Sequence, residues 1–164
     1  MNTKKVAALG IAVALAMVLS FFETLIPPFV AIPGIKIGLA NLVIVFVLYK
    51  LGFWAAMSVS LVRVTLSSIL FGNIQVFVFS IAGAMLSLVG MALLKRTNLF
   101  SHITVSVVGG VLHNIGQIAV AVLWTSTPQI VFYLPILLVT GTFAGVVIGI
   151  VSGLIIKRLE RLNI

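Results

Sequence analysis

Ile74–Leu94 reads IQVFVFSIAGAMLSLVGMALL, twenty-one residues without a single charge. A helix needs about 20 largely apolar residues to cross the hydrocarbon core of a bilayer. Five further runs of this kind flank it, so the chain reads as Val6–Ile26, Ile35–Tyr49, Phe53–Phe71, Ile74–Leu94, His102–Trp124 and Ile130–Ile156. Between them lie breaks: Pro27-Pro28 and Pro33-Gly34, the turn Lys50-Leu51-Gly52, the polar Lys95–Ser101 connection, and Thr125–Gln129. The expected fold is all-α: a polytopic membrane protein, a compact bundle of six transmembrane helices in one domain over residues 1–164. The last run is long enough to tilt, or to begin as an interfacial turn before Pro135.

Composition agrees. Hydrophobic residues make up 62% of the 164 and charged residues 7%, against roughly 25% charged in a soluble domain. Such a chain could not cover its surface in water. Met1–Lys5 followed by an apolar run could pass for a signal peptide. Every later segment is equally apolar, so the first run reads as a retained helix.

Ten Lys/Arg face two Glu, and the net charge is +8. The basic residues fall mainly between apolar runs, which points to membrane orientation and not to a nucleic-acid stripe. With the N-terminus cytoplasmic, Lys4, Lys5, Lys50, Lys95, Arg96, Lys157, Arg158 and Arg161 all lie inside. Lys36 alone lies near the outer side, and Arg63 lies within a helix. Both termini are expected to be cytoplasmic, and the location a prokaryotic plasma membrane. The chain has no Cys, so disulfides and thiolate metal sites are excluded. With two His and no Asp, no metal site is expected.

Small residues mark close helix packing. Gly141, Gly145, Gly149 and Gly153 form one stripe on the last helix, which reads as packing within the bundle. Ser80, Gly83, Ser87 and Gly90 make a similar face on the fourth helix, and Ala8, Ala12 and Ala16 on the first.

Arg63 lies near mid-membrane, where a charge costs a few kcal/mol or more unless it faces a cavity or a partner. Ser60 and Ser67 share its helical face. A structural pair with Glu23 or helix carbonyls and a contact to a ligand anion are equally good accounts. On the fifth helix His113, Asn114 and Gln117 fall within five residues, with Gly109 one turn before His113 leaving room beside the imidazole. Glu23, Lys36 and Asn41, with Asn73 and Gln75 of the next outer loop, lie at a similar depth. Together they suggest an outward-opening pocket. Lys36 and Arg63 against Glu23 leave it positive, suiting an anionic or phosphate-bearing ligand. Trp124 and Tyr133 read as interface anchors before they read as ring-stacking groups.

Absences narrow the function. There is no GxxxxGK[ST] run for nucleotide hydrolysis. No carboxylate lies near the middle of a helix, which argues against a proton-coupled transporter working alone. A binding membrane subunit energised by partners fits best; an enzyme is not expected.

Phe22-Glu23-Thr24-Leu25-Ile26-Pro27, Pro33-Gly34-Ile35-Lys36-Ile37-Gly38-Leu39-Ala40-Asn41-Leu42 and Gly109-Gly110-Val111-Leu112-His113-Asn114-Ile115-Gly116-Gln117 resemble the Gx transporter family. That family is also labelled heptaprenyl diphosphate synthase component I, and the similarity covers nearly the whole chain. The family looks related to the S components of energy-coupling factor (ECF) transporters. The resemblance implies a transmembrane coupling subunit and two ATPase subunits as partners, docked through Ala8, Ala12 and Ala16. It also implies a vitamin-type transported ligand, a flavin (riboflavin, FMN or FAD), which the pocket residues Glu23, Lys36, Asn41, Arg63, His113, Asn114 and Gln117 would hold. Prenyl transfer relies on aspartate-rich motifs that hold Mg²⁺, and this chain has no Asp. A non-catalytic membrane partner of a polyprenyl diphosphate synthase remains the alternative, and a small homo-oligomeric transporter the third.

Overall fold

The computed structural model describes residues 3–25 and 38–161. Among these residues there is no strand. The helices are α1 (Thr3–Leu25), α2 (Asn41–Lys50), α3 (Phe53–Phe71), α4 (Ile74–Thr97), α5 (His102–Thr125) and α6 (Leu134–Arg161), with a 3-10 turn, Pro128–Tyr133, leading into α6. All but α2 are long and apolar enough to cross a membrane. Large apolar side chains such as Ile11, Leu123, Phe143 and Leu154 stand on the outside, which only lipid tolerates on this scale.

Local chemistry sets the ends. Gly52, at φ 90°, turns the chain from α2 into α3, a conformation glycine adopts without a Cβ penalty. The Asn73 side chain accepts from Val76 N–H at 2.9 Å and caps α4. Ser101 Oγ accepts from Thr104 N–H at 3.1 Å and caps α5. Each satisfies an amide that the helix itself leaves open.

The second element differs from its expected span of Ile35–Tyr49. Residues 35–37 lie outside the described residues, and Gly38, at φ 77°, with Leu39 and Ala40 forms a turn. The helix begins only at Asn41, and its 10 residues extend about 15 Å at about 1.5 Å per residue. That is half a bilayer core. An apolar run does not reveal this break, because the break depends on one glycine adopting positive φ. Val43, Ile44, Val45, Val47 and Leu48 are all buried, so α2 is a short central helix wrapped by the others.

The glycine stripe of α6 packs inside the bundle, against α5. A methyl group on Gly145 would come within 2.6 Å of Val107 Cα, and one on Gly149 within 2.6 Å of Ile103 Cα. Gly110 and Gly141 face each other across the same seam. On α4, Gly83 and Gly90 meet His113 and Leu112 of α5.

The alanine stripe of α1 requires a correction. Ala12 and Ala16 are 7% and 0% exposed and belong to the core shared with α2 and α3, while Ala8 is half-buried. Their small side chains let α1 approach its own neighbours, so this face is not available for a partner. Spacing identifies a face, but not what covers it.

Candidate functional site

One end of the bundle carries the basic residues of α2, α4 and α6. There Lys95 Nζ donates to Leu48 O at 2.6 Å and to Tyr49 O at 3.3 Å. The Tyr49 and His102 rings lie 4.3 Å apart, and Lys50 pairs with Glu160 at 3.8 Å. These contacts join the end of α2 to α4, α5 and α6. At the opposite end, the Phe21 and Phe71 rings, 5.6 Å apart, join α1 to α3.

Between these ends is a cavity to which all six helices or their approaches contribute. Glu23 of α1, Asn41 of α2, Arg63 of α3, and His113, Asn114 and Gln117 of α5 all line it. The structure therefore brings together six of the seven expected ligand residues. Lys36, the seventh, lies outside the described residues. α2 is short enough for its first turn to line the cavity through Gly38 and Asn41 while its last turn sits at the basic end. Non-helical backbone at membrane depth is tolerated where it borders a cavity.

The lining residues have different occupations. Glu23 accepts a short hydrogen bond from Gly38 N–H, tying α1 to the turn before α2. Glu23 and Arg63 also interact electrostatically. The Asn114 amide donates to Leu137 O, linking α5 to α6. Ser67, one turn from Arg63, donates to Val64 O at 3.2 Å. Arg63 Nε and Ser20 Oγ, by contrast, are buried with no hydrogen-bond partner among the described residues.

Two expectations about neighbours change. Room beside His113 comes from Gly83 of α4, where an added methyl would meet the imidazole Cε1 at 3.1 Å; the space beside Gly109 is filled by Met91. Ser60 is buried outside the cavity lining, whereas Ser67 lines it. Asn73 is the α4 cap and Gln75 is exposed, so neither joins the site. Trp124 and Tyr133 are exposed on the bundle exterior, as anchors are.

Serines of the lining escaped the sequence reading as site residues: Ser20, Ser80, Ser87 and Ser106. Ser20 stands three residues before Glu23, and Ser106 three before Gly109 and seven before His113. Helical spacing from the residues already singled out would have found both. The cavity has about 70 Å³ of room for water-sized molecules, enough for several waters. A tricyclic ring would enter only if the surrounding helices moved apart.

A sequence model of the family described as heptaprenyl diphosphate synthase component I matches residues 12–155. No curated protein and no solved structure matches the chain. The matched span includes the described cavity-lining residues.

Proposed function

This chain belongs to the heptaprenyl diphosphate synthase component I family, and we propose that it is a non-enzymatic membrane subunit that binds a small polar anion in the cavity between its helices. The observation that carries this reading is the cavity itself, a polar site with Arg63, Asn41, His113, Asn114 and Gln117 on its walls inside an otherwise apolar bundle. Polar groups at membrane depth are costly and mark ligand or ion sites. The sequence holds no nucleotide-hydrolysing motif, so energy for transport would come from partners. The role is that of an S component working with a coupling subunit and two ATPases. A flavin remains the vitamin-type candidate, on condition that the bundle opens to admit its ring.

The family description favours a second reading, a membrane partner of a polyprenyl diphosphate synthase. Without aspartate the chain would not supply that enzyme's Mg²⁺ ligands, so it would act as a non-catalytic component.

Purification in mild detergent, with mass spectrometry and absorbance on any bound molecule and on co-purifying proteins, tests both. A flavin or similar anion together with ATPases supports the first reading. An isoprenoid diphosphate with an Asp-rich soluble synthase overturns it in favour of the second.

A further inference from the structure

Among the described residues, two hydrogen-bond donors on neighbouring helices of the cavity wall, Ser20 Oγ and Arg63 Nε, have no partner. Ser20 of α1 is 7% exposed, and its Oγ has no partner. Arg63 of α3 has its Nε buried, also without one. Both residues line the cavity, and the Phe21–Phe71 contact holds α1 and α3 together next to it. Buried polar groups in folded proteins are nearly always paired, and hydrocarbon supplies no water to replace a missing partner.

Nearby polar groups make contacts of their own. Glu23 accepts from Gly38 N–H, Ser67 donates to Val64 O, and Asn114 donates to Leu137 O. Arg63 interacts with Glu23, but a guanidinium has five N–H donors in a fixed fork, so this contact leaves others to spare. Among the described residues, no acceptor is in place at Ser20 Oγ or at Arg63 Nε.

We propose that the α1–α3 wall of the cavity is an oxyanion subsite, in which Ser20 Oγ–H and Arg63 Nε–H donate to a carboxylate or phosphate group of the bound molecule. The inference rests on the reading of the cavity as a ligand site. It adds Ser20 as a contact residue and assigns the charged end of the ligand to α1 and α3. The uncharged part then faces His113 and Gln117 on α5. Arg63 supplies charge and a planar fork suited to oxyanions, and Ser20 supplies direction from the second helix.

The test uses the full chain in mild detergent. Its unfolding midpoint is measured against sodium phosphate and, separately, sodium acetate, each at ionic strength held constant with sodium chloride. A saturable rise with either anion is expected, phosphate and acetate distinguishing the two head-group chemistries. Ser20→Ala and Arg63→Gln should each raise the half-saturating concentration about ten-fold or more, the scale of one charge-assisted hydrogen bond. Arg63→Lys keeps the charge without the fork and should recover part of the response. Lys50→Ala, at the basic end, should leave it unchanged. No saturable rise with either anion, or the same half-saturation in wild type and in Ser20→Ala, overturns the subsite. If a co-purified molecule binds wild type, Ser20→Ala and Arg63→Gln alike, the cavity reading stands and the subsite alone falls.

Discussion

Lys95 at the basic end holds its ammonium on two carbonyls of α2, 5.1 Å from the Tyr49 ring centre, whereas Arg63 in the cavity has a buried Nε with no partner among the described residues. Both are cations on long apolar helices. Lys95 closes a structural joint: the last carbonyls of α2 have no intrahelical donor, and a cation at a helix C-terminus meets the negative end of its dipole. Arg63 interacts with Glu23 of α1, yet its Nε meets no carbonyl among the described residues. The contrast separates polar groups that hold the fold from groups left available inside it. Polarity within a membrane therefore marks a binding site most sharply where hydrogen-bonding capacity is left unfilled.

The comparison requires the two regions to lie at different depths, and topology gives the largest expected effect because it is all-or-none. The basic-residue distribution predicts that a cysteine at Thr125 is labelled from outside intact cells. One at Asn98, just past the basic end of α4, should be labelled only after permeabilisation. The reverse pattern would put the Phe71–Gly72 end of the cavity lining on the cytoplasmic side, the wrong side for uptake.

Next in size is the loss of the joint. We predict that Lys95→Met lowers stability by about 1.5–3 kcal/mol, the scale of hydrogen bonds from a charged donor, because Leu48 O and Tyr49 O lose that donor together. Reversible unfolding in mixed detergent measures it. A stability equal to wild type would show that the end of α2 is held by Tyr49–His102 and apolar packing alone. Binding of any co-purified molecule should be unaffected, since Lys95 does not line the cavity.

Within the cavity the same distinction separates two neighbouring amides. Asn114 is engaged with Leu137 O, which also accepts from Thr140 Oγ1 at 3.2 Å. Asn114→Ala is therefore predicted to destabilise by about 1 kcal/mol, because the carbonyl keeps one donor. Gln117→Leu should change stability by less, about 0.5 kcal/mol or below, and should weaken ligand binding about two- to ten-fold, one neutral hydrogen bond's worth. If Gln117→Leu destabilises more than Asn114→Ala, the roles given to the two amides are interchanged.

Much of this was legible in the sequence, for identifiable reasons. α3 spans Phe53–Phe71 as expected, because Gly52 and Gly72 bound a largely apolar run. The turn before Pro135 and the glycine seam of α6 also follow from local residues. The cavity was legible because Arg63, His113, Asn114 and Gln117 are conspicuous in an apolar chain. Ser20 was not conspicuous: serine is common in membrane helices, and only its unfilled hydroxyl singles it out. The basic-end joint was hidden for another reason. Lys95 and Leu48 are 47 residues apart, and positive charge near a helix end was already explained by orientation. The inward turn of Ala12 and Ala16 required knowing which helices surround α1.

The smallest expected effect concerns Lys50, which belongs to the same basic end as Lys95 but differs in setting. Its ammonium is 3.8 Å from Glu160, and the two side chains are 24% and 61% exposed. An ion pair so open to water gains little, because solvent screens it and two long side chains lose freedom in forming it. Lys50→Ala is predicted to change stability by no more than about 0.5 kcal/mol, and high salt should shrink even that. Lys95, one helix away, donates to carbonyls in a part-buried site, and its variant should show little salt dependence. Measuring both variants at low and high salt thus tests whether burial or charge makes the joint. Equal losses from both, falling together with salt, would mean that a shared surface field holds the basic end, and the contrast with Arg63 would have to be drawn from burial of the cavity alone.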